Sequence, residues 1–192
     1  MVLVLLEKIK SVLTTKLELS PNTDTKNKIA SVLIVIYGSE PRILMTKKSR
    51  ILKIHAGEIA FPGGKHDPTD NDLLETALRE AREEVNLSVR PEHVIGQLTP
   101  VTTLNSKFTI HPFIAVVRRL PRLKDNVEVE TILRIPLFSL LQTIANDMEP
   151  AHQSIQEMYT FTYQNHVIWG ASARMLKQIR DVFLKNNILE IK

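Results

Sequence analysis

Cysteine is absent from this chain of 192 residues. Disulfides, thiol nucleophiles and thiolate-held metals are thereby excluded. That absence is compatible with a reducing compartment, and a cytoplasmic location is the expectation. Aromatic residues make up only 5% of the chain, with a single tryptophan. Stacking platforms for nucleic-acid bases are therefore poorly supplied. The 25 Lys and Arg are dispersed and form no recognised binding motif, so no nucleic-acid partner is expected. No apolar run approaches the roughly 18 residues of a membrane span, and no membrane partner is expected. The apolar start, Met1 to Leu6, is short and is broken by Glu7, Lys8 and Lys10. It lacks a small-residue cleavage site, so no signal peptide is expected. Internal repeats and low-complexity stretches are also missing.

What remains is an ordinary globular composition, 43% hydrophobic and 24% charged. One domain over residues 1–192 is the expectation, with a helix and linker over 1–28. Oligomeric state is not fixed by the sequence, and a homodimer stays open. The net charge of +4 favours anionic ligands. The largest basic cluster, Arg118, Arg119, Arg122 and Lys124, falls in a loop after a strand and reads as solvated. A helix is expected over 2–17, then a turn at Ser20–Asp24. The aliphatic run Ile29–Tyr37 reads as a buried strand, turned by Gly38–Pro41 into a second strand over 42–46. A basic loop covers 47–57, and a helix about 70–86. Strands follow near 94–102, 108–118 and 127–135. Helices fit 136–146 and 172–185, and a strand pair fits 158–168. Strands and helices mingle without strict alternation, which points to a mixed sheet between helical layers.

The richest stretch is Phe61-Pro62-Gly63-Gly64-Lys65, followed by Arg79-Glu80-Ala81-Arg82-Glu83-Glu84. Glu80, Glu83 and Glu84 stand at i, i+3 and i+4, so their carboxylates share one side of a helix. Like charges at that spacing repel unless a cation sits among them. Hard oxygen donors in that number suit Mg²⁺ or Mn²⁺. Leu74, Ala77, Leu78, Ala81 and Val85 form an apolar stripe on the same helix. At about 100° per residue, stripe and carboxylates are expected on roughly opposite sides. Asp70 is a plausible cap of the helix start, Asp72 and Glu75 read as solvated, and Asn86 suits a left-handed residue at the helix end. His55, His66 and His111 have no zinc spacing, and only His66 lies beside the carboxylates.

These residues resemble the box of the Nudix hydrolases, with Gly64, Arg79, Glu80, Ala81, Glu83, Glu84 and Leu87 at matching positions and the box spanning 64–87. Three departures stand out. The Gly-to-Arg interval is one residue longer than the general pattern, Asp70 stands about where the first Glu belongs, and Asn86 replaces the final Gly. The segment Leu44-Met45-Thr46-Lys47-Lys48-Ser49, then Lys53, Gly57 and Phe61-Pro62-Gly63-Gly64, is similar to that of the coenzyme A pyrophosphatases of the family. Those enzymes also have the longer box. Both of their arginines are lysine here, at Lys48 and Lys53, which keeps charge but loses the bidentate fork. Glu128-Val129-Glu130 through Ile135-Pro136-Leu137, and Val167 through Leu176, resemble two further segments of that subgroup.

The resemblance implies an α/β/α sandwich around a mixed sheet. It implies cleavage of a small-molecule diphosphate with Mg²⁺ or Mn²⁺ held by Glu80, Glu83 and Glu84. The catalytic set it suggests is Glu83, Glu84, Arg79 and Glu128, with Arg79 orienting the carboxylates and Glu128 or Glu130 offering a base. The substrate-contacting set is Lys48, Ser49, Lys53, Gly57, Phe61, Gly63 and Gly64. Lys48 and Lys53 would meet the 3′-phosphate of coenzyme A, and Phe61 packs beneath the Gly turn. Three readings are open: a coenzyme A diphosphatase, a hydrolase of another nucleoside diphosphate derivative, and a sensor of the same fold that binds without cleaving.

Overall fold

A computed structural model of the chain describes residues 2–20, 27–52, 54–103, 106–149 and 158–190. Its centre is the pair β1 (Lys28–Tyr37) and β7 (Phe108–Val117), which run parallel in continuous register from Lys28↔Phe108 to Tyr37↔Val117. Both strands are rich in β-branched and aromatic side chains and are covered on both faces, which is why they read as near-continuous apolar runs. Alternation assigns the faces. Leu33, Val35 and Phe113 point into one core, and Ile34, Ile36 and Ile114 into the other.

The large sheet has eight strands, with the path β3-β2-β1-β7-β5. Here β2 is Arg42–Lys48, β3 Ile59–Ala60 and β5 Val94–Gln97. The short β4 (Gly63–Lys65) pairs with β1, β6 (Val101–Thr102) with β7, and β8 (Val129–Pro136) with β2. One face carries α2 (Leu73–Val85) through Leu74, Ala77, Ala81 and Val85. The other carries α1 (Val2–Leu13), α3 (Leu137–Leu141) and α4 (Gly170–Lys185), joined by Ile9, Leu140 and Phe183 among others. A small sheet of β9 (Ala145–Asn146), β10 (Tyr159–Tyr163) and β11 (His166–Ile168) completes that layer. The architecture is a mixed sheet between helical layers. No helix among the described residues is long and apolar enough to cross a membrane.

Several boundaries differ from the sequence expectation. Helix α1 ends at Leu13, not residue 17, because the chain then turns along β5, where Thr15 N donates to Ile95 O (3.2 Å). The strand expected over 94–102 is two strands, with Leu98 N bonded to Pro112 O (3.0 Å) at the break. The helix expected over 136–146 stops at Leu141, and Ala145–Asn146 pair with β10 instead. The β1–β2 hairpin and the β10–β11 pair are both antiparallel as expected. Residues 21–24 of the Ser20–Asp24 turn lie outside the described residues.

Candidate active site

The site is built on α2. Its start is capped by Asp72, whose side chain accepts from Glu75 N at 2.7 Å. This corrects the expectation that Asp70 caps the helix and that Asp72 is merely solvated. Asp70 has a different task. It is nearly buried and accepts from Arg79 Nε at 2.8 Å and Nη2 at 3.0 Å, and from Thr76 Oγ1 at 2.8 Å. Those bonds, the arginine's first, hold the Asp70 carboxyl far below the usual carboxylate range. The helix ends at Asn86 in the left-handed region (φ 53°), where its N–H satisfies Arg82 O.

Pinned by Asp70, the Arg79 fork reaches back along the helix. Its Nη1 donates to Glu80 Oε1 at 2.8 Å and Glu83 Oε2 at 3.3 Å, and Nη2 donates to Lys65 O at 3.2 Å. One guanidinium therefore joins the Gly turn, the loop before α2 and two carboxylates. Gly64 lies directly against this group: a Cβ there would stand 2.4 Å from Glu80 Oε1. Gly63 faces the sheet, where a Cβ would meet Ser31 O at 2.4 Å.

The three carboxylates do not form an even patch opposite the apolar stripe. Glu83 is 55% exposed, whereas the Glu84 side chain is 2% exposed and flanks the stripe. Burial pushes the Glu84 carboxyl up to about 7, against the pull of the Lys48 ammonium; the charges of Glu80 and Glu128 add to the rise. Burial raises Glu80 as well, opposed by its bond to Arg79.

Lys48 comes from the end of β2. Leu44 packs under α2, and the period of two carries Lys48 to that same face. Its ammonium pairs with Glu84 Oε1, and its side chain is only 12% exposed. Opposite, the register slips by one residue on β8, leaving Glu130 as the extra one, and Glu130 pairs with Lys47. Glu128 precedes β8 and is exposed; its carbonyl accepts from Ser49 N at 2.8 Å. Asn126 N binds Glu84 O at 3.2 Å, which draws this loop to the helix end.

Gly57 adopts φ +75° and closes the basic loop by donating to Lys48 O at 3.0 Å. Lys53 lies outside the described residues. Phe61 is 2% exposed and belongs to the core on the face of the sheet that carries α1, α3 and α4. This burial suits the packing role expected for Phe61. His66 Nδ1 is 2.8 Å from Thr76 Oγ1 and belongs to the Asp70 network.

The chemistry of these donors fits a hard divalent cation. Glu84 Oε2 is buried without a hydrogen-bond partner, and an ionised oxygen in that position needs a positive neighbour. Among the described residues no three His, Asp or Glu side chains already stand gathered as a ligand cluster. Arg79 draws Glu80 and Glu83, and Lys48 takes the other oxygen of Glu84. Neither the Arg79–Asp70 fork nor the Lys48–Glu84 pair was expected from sequence. The one signal for the second was the matched spacing of the lysine segment upstream of the box.

The family model described as NUDIX domain matches residues 27–158. A protein named "Uncharacterized Nudix hydrolase NudL" from Yersinia enterocolitica is 37% identical over 160 residues, covering 78% of this chain and 78% of that protein. Its namesake from Yersinia pestis is 36% identical over 157 residues, covering 80% and 78%. Among solved structures, a MutT/nudix family protein from Enterococcus faecalis aligns with TM-score 0.57 at 12% identity, over 89% of this chain and 64% of that one. A NUDIX hydrolase from Alicyclobacillus acidocaldarius aligns with TM-score 0.54 at 18% identity, over 88% and 100%. At those identities the structural likeness speaks for the fold.

Proposed function

The chain belongs to the Nudix hydrolase family, and from that premise we propose that it cleaves the diphosphate of coenzyme A or an acyl-coenzyme A. The products are 3′,5′-ADP and 4′-phosphopantetheine or its acyl form. One observation carries this reading. The lysine segment that resembles the coenzyme A pyrophosphatases places Lys48 in direct contact with Glu84, the most buried carboxylate of the box. Two separate resemblances in sequence thus meet in one site.

Glu80 and Glu84 would hold Mg²⁺ or Mn²⁺, with Glu83 nearer to solvent as a further ligand or as the group that orients water. Such a cation neutralises charge on phosphoryl oxygens and makes hydroxide accessible near neutral pH. The remaining work falls to the chain itself. Asp70 fixes Arg79, and Arg79 fixes the directions of Glu80 and Glu83. Lys48, paired with Glu84, would share its charge with a phosphate of the incoming substrate, as a point charge without a fork. Gly64 lets the backbone approach the carboxylates, and Glu128 stands on an adjoining loop where it can take a proton. Water then attacks phosphorus, and the bridging oxygen leaves with the other phosphate.

A panel of coenzyme A, acyl-coenzyme A, ADP-ribose, NADH and nucleoside triphosphates, assayed with Mg²⁺ and Mn²⁺ and with chelator, tests the proposal. The expected result is cation-dependent release of 3′,5′-ADP from coenzyme A ahead of the other substrates. Turnover confined to ADP-ribose or NADH would move the assignment to another nucleoside diphosphate derivative. No turnover of any of them would favour the binding-only reading.

A further inference from the structure

A second cleft, of about 400 Å³, opens where the end of β7 meets α1 and the stretch after α2. Its floor includes Leu87 and Val116, both buried. Its rim brings together Lys10 of α1, His93, and Arg118 and Arg119 from the loop after β7. These residues lie far apart in sequence, so the fold, not local composition, assembles them. Lys10, Arg118 and Arg119 make no ion pair among the described residues, and Glu7 is the one acid in the lining. Arg118 and Arg119 belong to the basic cluster that the sequence reads as a solvated loop. In the structure they overhang a cleft lined by both polar and apolar groups, and among the described residues no interaction accounts for their convergence.

We propose that this cleft binds a small phosphate-bearing molecule with an apolar body. Unanswered cations at the rim of a concave surface concentrate field on an anion. Guanidinium groups grip phosphate oxygens in particular. An apolar floor beneath them takes up a non-polar portion that inorganic phosphate lacks, and the volume suits a small molecule. The cleft is separate from the carboxylates of α2, so this inference stands whether or not coenzyme A is the substrate. The loop that supplies the two arginines continues to Lys124 and Asn126, which bind the carbonyls of Val85 and Glu84 at 3.1 and 3.2 Å. The ligand would thus sit one loop away from the reacting groups.

The test is an NMR titration of the ¹⁵N-labelled full chain with hexyl phosphate, beside inorganic phosphate and hexanol. Saturable shifts at residues 87–93 and 117–120 are expected, with hexyl phosphate binding at least tenfold more tightly than either control. Arg118→Ala with Arg119→Ala should weaken binding tenfold or more. Both side chains are exposed, and an unchanged spectrum elsewhere would show the fold intact. Lys10→Ala, from a different element, should weaken it severalfold, whereas Glu84→Gln should leave it unchanged. Shifts confined to residue 48 and residues 80–84, equal binding by the double variant, or equal binding of inorganic phosphate would each overturn the proposal. So would an absence of saturable binding.

Discussion

At the scale of single residues, Glu84 is the most informative side chain. It is both the most buried acid of the box and the partner of Lys48. Glu84→Gln keeps the shape and removes the charge, and is expected to lower turnover about a hundredfold or more, as loss of a transition-state charge clamp does. The same variant gives a second readout without substrate. A carboxyl whose folded pKa is raised, here to about 7, contributes stability that is present below its unfolded value and lost as pH rises through the folded one. Without divalent cation, the Tm of Glu84→Gln minus that of the natural chain should therefore increase between about pH 4.5 and 7. A gap that stays flat across that range would show that Glu84 is not held in a desolvating site. The spacing of Glu80, Glu83 and Glu84 was legible in the sequence, but their unequal burial was not. Glu84 also pairs with Lys48, which is distant along the chain and arrives only through the pairing of β2 in the sheet. The Asp70–Arg79 fork was hidden for a similar reason: a short acidic residue ahead of a helix looks like a cap, and only the loop path shows Asp72 in that place.

At the scale of elements, the Gly turn and α2 form one unit, and its two glycines make different demands. A Cβ at Gly63 would press on Ser31 O and on Val32 Cα (2.7 Å), which are backbone atoms of the central strand. Gly63→Ala should therefore act on folding, at a cost on the order of 1–3 kcal/mol for an overpacked site. The nearest atoms that a Cβ at Gly64 would meet are those of the Glu80 carboxylate, the end of a side chain that can swing away. Gly64→Ala should leave thermal stability nearly unchanged while lowering turnover tenfold or more. Thermal melts beside kinetics on both variants would decide it, and a Gly64→Ala enzyme with normal turnover would detach Glu80 from the reaction. Long periodic elements were the easiest to read: β1, β7, α2 and α4 fall within a few residues of their expected limits. The short strands β3, β4 and β9 were not legible, because they are defined by a neighbour's backbone and not by a pattern of their own.

At the scale of the whole molecule, the sheet separates two cores, and α2 carries the candidate carboxylates on one side of it. The layering could be read from the mingled strands and helices together with the resemblance. The placement of Phe61 in the far core, and of Arg118 and Arg119 around a second cleft, required the folded chain. On the proposed function, this molecule directs water to phosphorus within a diphosphate. Hydrolysis of coenzyme A in ¹⁸O-labelled water, with mass spectrometry of both products, tests it most directly. The predicted result is 3′,5′-ADP and 4′-phosphopantetheine, with one labelled oxygen on the phosphate of one of them. Label in a product at a position other than a phosphate, or coenzyme A left intact while other diphosphates are also untouched, would contradict it.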